Sequence, residues 1–266
     1  MRRFVGLWLV MLVMNLGTQA QRLDEWLNAT GAKASEKDAA HREVSRLMTS
    51  FGDNQPTDQR HLWKVFRKIH STVLKQYEAY VDFASLFTTG NYDCLTATML
   101  FSHLLTELGY DFEVVETNYH IFILVKAADG RVLLETTDRV GGFITDEKII
   151  AQRIESYRKN EMLSSTSHDA YRYRCRLYQT VSPEKLLGLL YFNQAVKAYN
   201  RGDWLKCSES LEQAHTQYAS DRCRELGDIL IQTLLERKEV TPEVRTACLG
   251  HLKSVVIHRA GSVASN

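Results

Sequence analysis

Apolar residues recur at helical spacing through the first part of the chain. Ala40, Val44, Leu47, Met48 and Phe51 share one face of a helix with Ser35 as its cap, and Leu62, Val65, Phe66, Ile69 and Val73 mark a second helix from about Thr57. Gly52-Asp53-Asn54-Gln55-Pro56 between them reads as a turn. Arg60, Lys64, Arg67, Lys68 and Lys75 lie opposite the second stripe and read as a solvated face. Residues 21–34 carry little periodicity and are expected to be loosely ordered. A third helix is bounded at both ends: Asp93 is its N-cap, Cys94 falls in its first turn, and Gly109 stops it. Its expected buried stripe is Ala97, Leu100, Phe101, Leu104, Leu105 and Leu108. The aromatics of YEAYVDFASLFTTGNYDC, just before it, are expected to pack the helix against a sheet.

The period then changes from helix to strand. Ile121-Phe122-Ile123-Leu124-Val125 is a β-branched and aromatic run leading to Asp129-Gly130, which reads as a buried strand entering a two-residue hairpin turn. In that register Ala128 pairs with Arg131, and Glu135 lies opposite Leu124 on the face that carries His120. Asp138 would then oppose Ile121 on the other face, and an odd loop would reverse the preference. The same register leaves Glu135 roughly 13 Å from His120 along the ladder. Asp138 to Asp146 is a glycine-containing connection, and SYRKNEMLSSTSHD, which contains His168, is the most loop-like stretch.

From Ser182-Pro183 the pattern is helical again. LLGLLYFNQAVKAYNRGDWLKCSESLEQAHTQY resembles one tetratricopeptide unit, with Ala195, Ala198 and Tyr199 on one helix, a turn at Gly202-Asp203-Trp204, and Cys207, Leu211 and Ala214 on the next. Further helices are expected from Arg222 to Arg237 and from Pro242 to His258, with a frayed end from Gly261. The domain reading is a leader over 1–20, an α+β domain over 21–160, a connection over 161–181 and a helical region over 182–260. That region is either a packing appendage or a groove for a protein partner.

Composition narrows the function. At 266 residues, 44% apolar and 24% charged, the chain is ordinary globular material. Met1-Arg2-Arg3, the apolar run Phe4 to Leu16 and Thr18-Gln19-Ala20 have the order of a cleavable signal peptide. The 13-residue run is shorter than a spanning helix requires, so the expected product is periplasmic or secreted, with no stable membrane insertion. Without Arg2 and Arg3 the balance is 31 basic against 32 acidic residues, which gives no electrostatic case for nucleic acid. Export permits disulfides, but Cys94, Cys175, Cys207, Cys223 and Cys248 are an odd set, and Cys94 is the candidate free thiol. Cys207 and Cys223 either staple two helices or pack as small apolar residues. Asn28-Ala29-Thr30 matches a glycosylation acceptor, a weak pattern.

The candidate chemistry lies between Gly90 and Asp138. A cysteine at a helix N-terminus meets unpaired amides and the positive end of the dipole, which favour thiolate and can hold an oxyanion. His120, 26 residues later at the mouth of a strand, is a candidate base for that thiol and acid for a leaving group. Glu135, with Asp138 as the alternative, would orient the imidazole and stabilise its cation.

On these residues a resemblance can be named. GNYDCLTATMLFSHLLTELGYDF resembles the cysteine motif of the transglutaminase-like superfamily, and NYHIFILV followed by LLETTD is similar to its histidine strand and acid motif. The likeness spans about residues 60 to 145, with glutamate where the family usually has aspartate. It implies a papain-like α+β core with an antiparallel sheet and a Cys94, His120, Glu135 triad acting on a protein or peptide substrate. The implied chemistry is attack on an amide carbonyl, a thioester, and transfer to water or to an amine. Hydrolysis is the default, because no second substrate site is visible. Amine transfer and an inert scaffold that works through its helical tail are the alternatives. No cofactor is expected: the histidines and cysteines show neither HExxH nor CxxC spacing, and no phosphate-binding glycine loop is present.

Overall fold

Described in the computed structural model are residues 21–52, 56–118, 120–159 and 177–256. The signal-peptide reading, Cys175, His168 and the frayed C-terminus lie outside these residues. The fold mixes helices with a five-stranded antiparallel sheet of strand order β6-β5-β4-β3-β7. Its strands are β3 (Asp111–Thr117), β4 (Ile121–Ala127), β5 (Gly130–Leu134), β6 (Phe143–Ile144) and β7 (Tyr178–Val181). The chain divides into two compact units. One takes its described residues from Met1–Val114 and Phe122–Glu147, the other from Val115–Ile121 and Lys148–Asn266.

In the first unit a helix over residues 21–29, α1, occupies the stretch expected to be loose, and it buries Leu23, Trp26 and Leu27. Tertiary packing overrides the weak local signal here: the Trp26 ring meets Phe83 edge-on at 5.3 Å. The next helix, α2 (Ala34–Phe51), begins one residue before the expected cap at Ser35. Its cap is Lys33, whose N–H donates to Glu36 Oε2 at 2.7 Å. On α3 (Gln59–Thr72), capped by Asp58, the whole expected stripe is buried, and Arg60, Lys64, Arg67 and Lys75 are exposed. A parallel pair, β1 (Gln76–Tyr77) and β2 (Asn91–Tyr92), and the short α4 (Ser85–Thr88) lead to α5 (Cys94–Glu107). Rather than one apolar stripe, α5 buries every residue from Leu95 to Leu105, while Leu108 at its C-cap is half-buried. Rings approach it from separate elements: Phe66 of α3 lies 5.7 Å from Phe101, and Trp26 lies 6.3 Å from His103.

The β4–β5 hairpin differs from its expected register by two. Ala127 pairs with Gly130 and Ile123 with Leu134, so the turn is Ala128-Asp129 and Gly130 opens the second strand. The start of α3 accounts for the shift. Ala128 N–H donates to Thr57 O at 2.8 Å, and Asp129 Oδ1 accepts from Gln59 N–H at 2.8 Å, so the turn residues are gripped from outside the hairpin. Gly130 opens β5 at φ +145°, a backbone conformation that side-chain-bearing residues rarely adopt. An even shift preserves the strand face, and continuing it sets Glu135 opposite Phe122, two positions nearer the start of β4 than expected.

The second unit holds α6 from Lys148 onward (Glu147–Lys159), β7, which falls within the expected connection, and four helices. These are α7 (Leu186–Arg201), α8 (Trp204–Gln217), α9 (Asp221–Glu236) and α10 (Pro242–Val256). A left-handed Gly202, φ +74°, ends α7, and the Asp203 side chain caps α8 by accepting from Lys206 N–H. Small residues let this pair pack closely, and a Cβ on Gly188 would sit 2.5 Å from Tyr218 Cβ. Cys207 and Cys223 are free and buried, so the apolar alternative holds and neither forms the staple. Burial raises the thiol pKa to about 12 at Cys207 and about 11 at Cys223.

Candidate active site

Cys94 is the first residue of α5, half-buried and in no disulfide among the described residues. The turn beneath it is heavily fixed. Asp93, 2% exposed, accepts from Thr96 N–H at 2.8 Å, and Thr96 Oγ1 accepts from Asp93 N–H at 2.9 Å, a reciprocal cap. Ala97 N–H donates to Asp93 O at 3.1 Å. The amides of Thr96 and Ala97 are thus both taken by Asp93. Gly90 reaches this turn at φ +82°, its carbonyl accepting from Lys75 N–H at 2.9 Å.

The segment after β5 lies against that turn. Thr136 Oγ1 is 3.1 Å from Thr98 Oγ1 and donates to Cys94 O at 3.4 Å, so the residue next to Glu135 is bonded to the cysteine's own carbonyl. Glu135 itself is 6% exposed, and its N–H donates to Gly142 O at 2.8 Å. Asp138 is exposed, and its Oδ1 accepts from Val140 N–H at 3.0 Å and Gly141 N–H at 2.9 Å, which commits the carboxylate to its own loop. Gly142 holds the loop shut: an added Cβ would lie 2.3 Å from both Asp138 O and Glu135 O. Of the two acids weighed from sequence, Glu135 is therefore the buried one beside the cysteine turn.

His120 lies in the second unit, half-buried, at the end of the turn that closes β3 onto β4. Thr117 N–H donates to His120 O at 2.8 Å, and His120 N–H donates to Thr117 Oγ1 at 3.1 Å. The ring of Tyr157 on α6 lies 5.4 Å from the imidazole.

Thr98 and Thr136 escaped the sequence reading because a threonine in a helix or a turn carries no chemical signature alone. Two buried histidines also escaped it. Neither ring nitrogen of His70 has a hydrogen-bond partner among the described residues, and burial first, then Arg139, lowers its pKa to about 4. His103 is lowered to about 4 as well, by burial and then by Arg22 and His41. Both are neutral packing groups at physiological pH. Among the described residues no group of three or more His, Cys, Asp or Glu side chains is arranged to hold a metal ion, and no helix is long and apolar enough to cross a membrane. No family model matches the chain, and neither a curated protein nor a solved structure matches it.

Proposed function

We propose that this is an exported thiol enzyme of transglutaminase-like type that hydrolyses peptide or isopeptide amides. The observation that carries the reading is the position of Cys94 at the start of a tightly capped helix, with Thr136, the neighbour of buried Glu135, bonded to its carbonyl. The helix N-terminus favours the thiolate, which attacks an amide carbonyl, and the same positive end of the dipole favours the developing oxyanion. His120, which holds the thiol's proton, gives it to the departing amine as the C–N bond breaks and a thioester remains. Water then attacks the thioester, His120 takes its proton, and the carboxylic acid leaves as the thiol is restored. Glu135 orients the imidazole. The role of His120 is supported by its sequence motif and by its fixed position at the mouth of β4.

The test is the pH dependence of Cys94 alkylation by iodoacetamide, followed by peptide mass spectrometry in the wild type and in His120→Ala. Alkylation persisting well below pH 7 and lost in the variant is expected. Reaction confined in both proteins to the ordinary thiol range, about 8.5, overturns the reading. A peptide-amide screen with and without an added primary amine then separates hydrolysis from amine transfer, and Cys94→Ala abolishes either.

A further inference from the structure

The turn that carries His120 is held from the helical region. Arg222, near the start of α9 and 8% exposed, donates from Nη2 to Thr117 O at 2.7 Å, and the same nitrogen is 3.5 Å from Asn118 O. Its charge is met by Glu116, 1% exposed, at 2.9 Å. The other carboxylate oxygen of Glu116 accepts from the Tyr218 hydroxyl at 3.0 Å and from Gln179 Nε2 at 3.1 Å. The guanidinium sits 5.4 Å over the Phe192 ring of α7. Leu177 N–H donates to Asn118 Oδ1, a further tie to the same turn.

A buried ion pair is a poor way to gain stability, because desolvation offsets most of the attraction. What it supplies here is direction. One nitrogen, Nη2, meets both the Glu116 carboxylate on β3 and the carbonyl of Thr117 that follows it, which ties the backbone at Thr117 to α9. Thr117 in turn makes three bonds with His120: its N–H and hydroxyl donate to His120 O, and its Oγ1 accepts from His120 N–H.

We infer that Arg222 is a positioning residue for His120: with Glu116 it clamps the Thr117–His120 turn from the helical region. The inference rests on the reading of His120 as the base. It also gives a role to the charged pair where helices and strand pack together.

The test uses Glu116→Met with Arg222→Met in the full mature chain, a replacement that leaves no unpaired buried charge. Arg245→Met is the control, since Arg245 caps Leu234 O on α9 and does not touch the turn. Hydrogen exchange of the His120 amide is expected to rise at least tenfold in the double variant, with amides of α7 such as Val196 unchanged. Cys94 alkylation at pH 6 is expected to fall at least tenfold, with normal rates recovered above the ordinary thiol range. Arg245→Met changes neither. Arg222→Lys, which keeps the charge but not the planar guanidinium over Phe192, is expected to give an intermediate result, and it decides the matter if the double variant does not fold. Unchanged His120 exchange, or an unchanged alkylation profile in a folded variant, overturns the inference. If wild-type alkylation proves indifferent to His120→Ala, the catalytic reading fails, and the exchange measurement alone decides the clamp.

Discussion

Lowering the pH from 7.5 to 5 is expected to weaken the first unit through His70 and His103. His70 sits among rings, with Phe66 at 4.4 Å and Phe101 at 5.9 Å, and is 2% exposed. Its folded pKa of about 4 comes mainly from burial and then from Arg139, opposed by Asp138, against an ordinary value of 6.5. The unfolded chain therefore binds a proton as pH falls through 6.5, while the folded ring stays neutral until about 4. Protons favour the unfolded state across that window. The stability tied to each neutral histidine is complete above 6.5 and lost on the way to 4. The slope is about 1.4 kcal/mol per pH unit for each ring, which amounts to roughly 2 kcal/mol per ring by pH 5 and about 3 at full extent. Urea unfolding of the wild type and His70→Leu, at intervals between these pH values, isolates one of the two. At pH 7.5 the variant should match the wild type or exceed it by about 1 kcal/mol, because it removes a buried polar ring without partners. By pH 5 its advantage should grow by about 2 kcal/mol. Glu147, Glu239 and Glu243 have lowered pKa values, so their contribution is lost only below the ordinary carboxylate range, outside this window. Parallel pH profiles for the two proteins would refute the reasoning.

Other outcomes follow from particular contacts. Gly142→Ala forces a Cβ onto two carbonyl oxygens at 2.3 Å, and a loss of about 2–3 kcal/mol in chemical denaturation is expected, with amide exchange rising at Glu135. Asp93→Ala removes the cap of α5 and should cost about 1–2 kcal/mol, read as a lower thermal midpoint. In the native protein a thiol reagent at pH 8 should label Cys94 while sparing Cys207, Cys223 and Cys248, which burial shields; equal labelling of Cys207 before unfolding would contradict its position.

Local rules were enough to read α3, α5 and the α7–α8 pair from the chain. Each has a cap or stop of the right type, Asp58, Asp93, Gly202 and Asp203, and apolar residues at helical spacing, so local hydrogen bonding and burial agree. Cys94 at a helix start and the β-branched run of β4 were legible for the same reason. Less visible was α1, since one tryptophan and two leucines give little periodicity and their worth depends on Phe83, far along the chain. The hairpin register was misread because the sequence offers Asp129-Gly130 as a turn, whereas the grip of Thr57 and Gln59 on Ala128 and Asp129 is visible only in three dimensions.

The sequence by itself determined the capped helices α3, α5, α7 and α8, the apolar run of β4, and which residue types stand at the cysteine, histidine and acid motifs. Those features follow from capping, periodicity and backbone preference within a few neighbours. Only the tertiary structure showed that Glu135 is buried while Asp138 is exposed and tied to its own loop amides. It alone joined Thr136 to Cys94 and Arg222 to the turn of His120, across 42 and 105 residues of chain. Contacts of that separation depend on how whole elements pack, and no local pattern encodes them.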